Sequence, residues 1–274
     1  KHRAARLHDG TVLVAGGENI IASAGGATAP VLEAEQLDLA SKTSTAAGTL
    51  AAAHLEGTMT TLRDGRVLVA GGDTEKSELF TPGAAPPFAL VASMSVSRAR
   101  HSATLLPSGR VIVIGGTDAP VASDVFDPVT KAWTKGPTPA NAWKSHGAVL
   151  MPNGLVLVVG GGAAEIYDET KNTFRPTTAP GATRDGGTAH LLPGGKVFVA
   201  GGTTLSAELF DPSTETWSYT TAQTEQAAER LWTALPSGRL VASGGHLPFE
   251  GLESAKRVFD PVARLVAIHD SKPD

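Results

Sequence analysis

Histidine is the side chain best suited to holding a transition metal at neutral pH, and three histidines recur at one place in this sequence. His2, His101 and His146 each stand 14 residues before the first glycine of a Gly-Gly pair, the pairs beginning at Gly16, Gly115 and Gly160. Neutral imidazoles converging from separate strands bind Zn2+, Cu2+ or Fe2+ and leave a position open for water or substrate. The set predicts a divalent transition-metal site, and with Glu229 or Glu250 as base it would serve a metal-dependent lyase, isomerase or hydrolase. The plainer reading is packing, because an imidazole on a half-buried strand is satisfied by one partner on an adjacent loop.

Other chemistry-bearing residues crowd the same neighbourhoods. Arg98, Arg100, Trp143, Lys144, Arg184, Asp185, Glu229 and Arg230 all lie just before or at these places. A tryptophan beside a cation, as at Trp143 and Lys144, is the composition of a binding hot spot, with packing beneath its own loop as the alternative. Trp232 falls inside an apolar run and reads as core. The candidate ligand contacts are therefore Arg100, His101, Trp143, Lys144, His146, Arg184, Asp185 and Arg230, joined by His246, Phe249 and Glu250 from a later loop. A carboxylate series, Glu78, Asp124, Glu165 and Glu208, recurs one or two residues before an aromatic. Recurrence at one repeat position predicts a structural bond to a neighbouring loop. No phosphate-binding loop, dinucleotide fingerprint, His-Glu-x-x-His or nucleophile elbow is present.

What must position these residues is a repeat. A Gly-Gly pair closes a strand-like apolar run six times, at Gly16, Gly71, Gly115, Gly160, Gly201 and Gly244, with spacings of 55, 44, 45, 41 and 43 residues. Six residues before each pair stands another glycine (Gly10, Gly65, Gly109, Gly154, Gly195, Gly238), which marks a tight turn between a first and a second strand. A third strand follows with Leu37, Phe80, Phe126, Tyr167, Phe210 or Phe259. A fourth carries Trp133, Phe174 and Trp217, with Phe88 a weaker match. Four short strands cannot bury both faces alone, so each sheet must lie between neighbours, and a ring of six sheets achieves that. The prediction is an all-β, six-bladed propeller with four antiparallel strands per blade. It forms one domain over residues 1-274, with blades at about 1-50, 51-95, 96-140, 141-181, 182-224 and 225-274 and a last strand at Arg264 to His269.

These motifs resemble kelch repeats. The string Arg-His-Ser-Ala-Thr-Leu-Leu-Pro-Ser-Gly-Arg-Val-Ile-Val-Ile-Gly-Gly, Arg100 to Gly116, resembles the bacterial subset also found in the propeller of galactose oxidase. The resemblance covers essentially the whole chain and implies a kelch-type β-propeller. It also implies that the starts of the first strands and their loops, at the pore mouth, are the face used for binding. A copper-radical site of the galactose oxidase kind would need a Cys-Tyr cross-link. This chain has no Cys, and Tyr167, one of its two tyrosines, takes the repeat's core aromatic place.

The Gly-Gly pair and the third-strand residue are 21, 9, 11, 7, 9 and 15 residues apart, so the first and last repeats carry the long loops. Ring closure makes these repeats neighbours, and Glu18 to Val31 and His246 to Ala255 are expected to form one lip beside the mouth. A formal charge of −4 without a block of like charges argues against nucleic acid and against an anionic membrane. No apolar run is long enough to span a bilayer, and the chain reads as soluble, of a secreted or periplasmic bacterial kind. It opens at Lys1 without Met, which points to an upstream signal peptide or lipoprotein anchor. The leading functional expectation is a binding module that holds a peptide, glycan or partner protein at the pore mouth. The alternatives are the three-His metalloenzyme and a purely structural module of a larger secreted protein.

Overall fold

A computed structural model describes residues 2–21, 27–202, 207–220, 231–234, 240–243 and 257–259. The described residues contain strands and turns and no helix. The first sheet holds β1 (Arg3–Arg6), β2 (Val12–Ala15), β5 (Glu33–Asp38) and β6 (Thr43–Thr49), and a separate hairpin, β3 (Glu18–Ile21) with β4 (Ala27–Pro30), is inserted after β2. The second holds β7 (Thr58–Thr61), β8 (Val67–Ala70), β9 (Ser77–Phe80) and β10 (Phe88–Leu90), and the third β11 (Ser102–Leu105), β12 (Val111–Ile114), β13 (Asp124–Asp127) and β14 (Ala132–Lys135). The fourth holds β15 (Gly147–Leu150), β16 (Val156–Gly160), β17 (Ala163–Asp168) and β18 (Thr173–Pro176), and the fifth β19 (Thr188–Leu191), β20 (Val197–Ala200), β21 (Glu208–Asp211) and β22 (Thr216–Tyr219). The sixth shows β23 (Leu231–Ala234), β24 (Leu240–Ser243) and β25 (Arg257–Phe259). The expected last strand, Arg264 to His269, lies outside the described residues. All neighbours within each sheet run antiparallel. The chain is a six-bladed, all-β propeller.

Residues Lys1–Lys144 and Ser145–Asp274 form two compact units of three blades each. Within the first, β7 lies beside both β1 and β11; within the second, β19 lies beside both β15 and β23. First strands are thus side by side and innermost in each unit. Middle strands are covered on both faces, which is why β8, β12, β16 and β20 read as unbroken apolar runs and are buried at every residue. β2 is the exception, with Leu13 and Ala15 buried but Val12 and Val14 half-buried.

The outer halves of blades 2 to 5 are each fixed by an aromatic pair. Phe80–Phe88, Phe126–Trp133, Tyr167–Phe174 and Phe210–Trp217 stand directly opposite across the third and fourth strands, with ring centroids 5.0, 5.1, 5.1 and 5.0 Å apart. Tilted pairs at this spacing contribute about 0.5–1.5 kcal/mol each beyond the area they bury. Phe88, the weakest match by spacing, is equivalent to the others in geometry.

The hairpin glycines expected at positive φ are there: Gly10, Gly65, Gly109, Gly154 and Gly195 have φ between 81° and 90°. Gly238 lies outside the described residues. One boundary is corrected. In blade 4 the turn is not Gly160-Gly161, because β16 continues through Gly160, which pairs with Ala163. The turn is Gly161-Gly162, at φ 54° and 77°, and two positive φ values in succession are the type I′ geometry that a glycine pair closes without strain.

Candidate functional site

Among the described residues, the segments leading into the first strands cross the Gly-Gly turn of the preceding or the same blade at close range, and this explains the glycines. A Cβ on Gly115 would fall on the backbone carbonyl of Trp143; one on Gly71 would meet the ring of His101 and the carbonyl of Arg98. The same loops place a residue in left-handed conformation nine positions before the hairpin glycine: Glu56, Arg100 and Ser145 at φ 58°, 57° and 53°, and Gly186 at 71°. Left-handed backbone is uncommon for residues with a side chain. It is held here by bonds between successive blades, the Arg100 N–H donating to the Glu56 carbonyl at 3.0 Å and the Gly186 N–H to the Ser145 carbonyl at 2.6 Å. The Arg100 guanidinium also forks onto the Glu56 carboxylate at 2.6 and 3.0 Å. Glu56 was not among the sequence candidates, although its offset from the hairpin glycine matches that of Arg100.

Eleven positions before the hairpin glycine stand His54, Arg98, Trp143 and Arg184, all buried. Two of them are cations bound to the carboxylate series, and His54 contacts it through a ring nitrogen. Arg98 donates to Asp124 through Nε and Nη2 at 3.1 and 2.7 Å, and Arg184 to Glu208 at 3.1 and 2.7 Å. A ring nitrogen of His54 is 3.1 Å from Glu78. The same side chains reach the carbonyl of the first glycine of the pair, Gly115 for Arg98 at 2.7 Å, Gly201 for Arg184 at 3.3 Å and Gly71 for His54 at 2.6 Å. The carboxylates also accept loop backbone N–H groups, from Ala51 and Ala52 to Glu78, Ser95 to Asp124 and Gly181 to Glu208. The series therefore clamps the loop that leads into its own blade. Burial pushes the Glu78 carboxyl up, but the bonds from His54, Ala51 and Ala52 outweigh it and hold the group below its ordinary range.

These facts place the sequence candidates. Arg184 is buried and committed to Glu208 and Gly201, so it does not face a ligand. Trp143 is 3% exposed and not an open hot spot. Lys144 is exposed and pairs with Asp118 at 2.6 Å. Arg100 and Asp185 are exposed. His101 is buried, with Nε2 2.9 Å from the Thr58 hydroxyl, so its ring is turned toward the preceding blade. His146 is partly buried with Nδ1 shut away from solvent, and burial pushes its imidazole down to about 3. His2 is exposed. Among the described residues no group of three or more His, Cys, Asp or Glu is placed to hold a metal ion. Glu229, Arg230, His246, Phe249 and Glu250 lie outside the described residues, and with them the second half of the expected lip.

Of the first half, residues 18–21 and 27–31 are described. The long insertion of blade 1 is the β3–β4 hairpin, its neck closed by the Val31 N–H donating to the Gly17 carbonyl at 2.9 Å. Gly17, at φ 110°, lets the backbone of His2 pass where a Cβ would crowd it at 3.2 Å. Between the start of β1, the end of β2, this hairpin and β5 lies a recess of about 310 Å3 lined by His2, Val14, Ala15, Gly16, Gly17, Glu18, Asn19, Val31, Glu33 and Glu35. Its floor is apolar and its rim carries three carboxylates and one imidazole. Glu35 is oriented by the Ser44 hydroxyl, which donates to it at 2.8 Å. The half-buried state of Val14, out of step with the other second strands, is the same feature seen from the core.

No protein-family model matches this sequence, and no curated protein matches it. Among solved structures it is similar to a fungal alcohol oxidase with catalytic diversity among the AA5 family, in complex with copper, at 17% identity and a TM-score of 0.56. The match covers 91% of this chain and 71% of that one.

Proposed function

We propose that this chain is a kelch-type binding module that uses the mouth face of its first unit, with the blade 1 recess as the anchoring site for a cationic side chain of a peptide or partner protein. The observation that carries this reading is the recess itself: three carboxylates and His2 around an apolar floor of Val14, Ala15 and Val31, built by the longest insertion that the structure describes. A lysine or arginine places its alkyl stem on such a floor and its charge at the rim. The lining holds no Phe, Tyr or Trp ring on which a sugar would stack, so polypeptide fits better than glycan, and acidic walls repel nucleic acid. The copper chemistry named for the fungal oxidase does not fit these residues: the sequence has no cysteine, and no metal-holding group is assembled among the described residues.

The test is binding of the protein to an array of peptides of graded charge, beside the variant Glu18→Gln/Glu33→Gln/Glu35→Gln. Lysine- and arginine-bearing peptides are expected to bind, more weakly at high salt because the rim charges lie within about a Debye length of solvent ions, ~8 Å. The variant is expected to lose about tenfold or more in affinity, at roughly 0.5–1 kcal/mol for each exposed charge. Equal binding by the variant, or preference for acidic peptides, would sink the reading.

A further inference from the structure

The clamp repeated beneath the mouth uses a permanent cation in blades 3 and 5, Arg98 and Arg184, but a titratable one in blade 2, His54. The hydrogen bonds determine how many protons His54 carries. Its Nδ1 is 2.6 Å from the Gly71 carbonyl, which can only accept. Its Nε2 is 3.1 Å from Glu78, whose two oxygens both accept backbone N–H bonds from the loop and whose carboxyl is held below its ordinary range, so that it is ionised and also only accepts. Both contacts are satisfied only when both ring nitrogens carry protons. The groups facing the ring are thus Gly71 from the end of β8 and Glu78 from β9; on its own loop, Glu56 is engaged by Arg100 of the next blade. We propose that His54 is a positioning residue that works as a pH-sensitive latch on the loop from Ala51 to Gly57, locked while the imidazole is doubly protonated and loosened when it gives up a proton.

The consequence follows from what this loop carries. Its Glu56 carbonyl receives the Arg100 N–H, its Glu56 carboxylate receives the Arg100 guanidinium, and its Gly57 carbonyl receives Arg3 Nε at 2.7 Å. Residues of blades 1 and 3 therefore converge on a loop anchored from below by His54. A neutral imidazole has one N–H and must abandon either Gly71 or Glu78. Arg98 and Arg184, holding the equivalent acceptors, cannot respond in this way because guanidinium stays charged. Any effect on ligand capture rests on the mouth-face reading above; the latch itself does not, and it is tested without a ligand.

The experiment is hydrogen exchange of the protein between about pH 6 and about pH 9, spanning the ordinary histidine range, expressed as protection factors so that intrinsic exchange is removed. Protection at Ala51 and Ala52 is expected to fall about tenfold to a hundredfold as pH rises, the loss of one charge-assisted bond. Protection at Ser95 and Gly181, which donate to the carboxylates of the two arginine clamps, is expected to stay flat. His54→Arg, the residue of blades 3 and 5, should abolish the response. Should that variant fail to fold, the ring nitrogens of His54 in the unaltered protein decide the matter by 15N NMR. Two protonated nitrogens at about pH 6 support the latch, and a lone pair on either one overturns it. A parallel course of Ala51, Ser95 and Gly181 with pH overturns it equally.

Discussion

The clamps can be tested where the charge is permanent, by replacing Asp124 with Ala. Asp124 is 1% exposed and accepts from Arg98 Nε and Nη2, the Ser95 N–H at 3.2 Å and the Ser95 hydroxyl at 3.0 Å. Without it the Arg98 guanidinium, with a side-chain exposure of 0%, keeps only the carbonyls of Gly115 and Ala122. Removing one member of a buried pair leaves an uncompensated charge and costs about 3–5 kcal/mol, a large share of a total stability of about 5–15 kcal/mol. Arg98→Met together with Asp124→Ala removes that stranded charge, so the double variant should recover most of the loss, retaining the cost of the orphaned carbonyls and the Ser95 donors. Urea unfolding followed by tryptophan fluorescence would give both numbers and, with Arg98→Met alone, a complete double-mutant cycle. A loss below about 1 kcal/mol for Asp124→Ala, or a double variant less stable than the single, would refute the account of the carboxylate series as structural clamps.

Three further outcomes are expected. Gly115 and Gly186 share a φ of 71°, but an added Cβ would strike the Trp143 backbone at the first and meet nothing within 4 Å at the second. Gly186→Ala should cost only the left-handed penalty of about 1–2 kcal/mol, Gly115→Ala about 1–3 kcal/mol more, and equal losses in thermal unfolding would contradict the close-crossing explanation. The Thr170 hydroxyl, and after it Lys171, holds the Asp168 carboxyl down to about 2 from 3.8. The contribution of this carboxylate is present above its ordinary value and lost as pH falls toward about 2, and an NMR titration of Thr170→Val should show the midpoint rising. His146, pushed down to about 3 by burial, stays neutral in the fold while the unfolded chain protonates below its ordinary 6.5. Stability is therefore lost as pH falls through that window, and against His146→Gln the difference should grow by about 1.4 kcal/mol per pH unit between those limits; parallel urea curves at successive pH values would show the assignment to be wrong.

The repeat was legible because each of its marks has one dominant physical cause. A tight turn needs glycine at Gly65 or Gly109, and the inward aromatic at Phe126 needs a partner at Trp133, so spacing alone locates strands and pairs. Gly160 misled because three consecutive glycines offer two registers, and only the pairing of Gly160 with Ala163 chooses between them. The site was less legible. Trp143 and Arg184 occupy one repeat position with His54 and Arg98, and alignment on the hairpin glycine would have shown them as the buried row. Function was sought in their chemistry instead, which is the same whether a guanidinium meets a ligand or Glu208. The fate of His101 depended on which side of its strand faces Thr58, a rotation that no spacing reports. The blade 1 insertion is marked in the sequence by its length. Its four-residue strands, though, contain Ile20, Ile21 and a run of small residues that also suit a loop, so the hairpin and the recess beneath it emerged only with the register of β3 and β4.

The most direct test of the binding account is to map where the peptide with the highest affinity on the array lands, by hydrogen exchange of the protein with and without it. The account predicts added protection at the Gly16 to Asn19 turn and hairpin, at Val31 to Glu35 and at the start of β1, the segments that enclose the recess. Protection confined to the opposite ends of the first strands, at the Asp9 to Thr11 and Asp64 to Arg66 turns, with the recess unchanged, would contradict it.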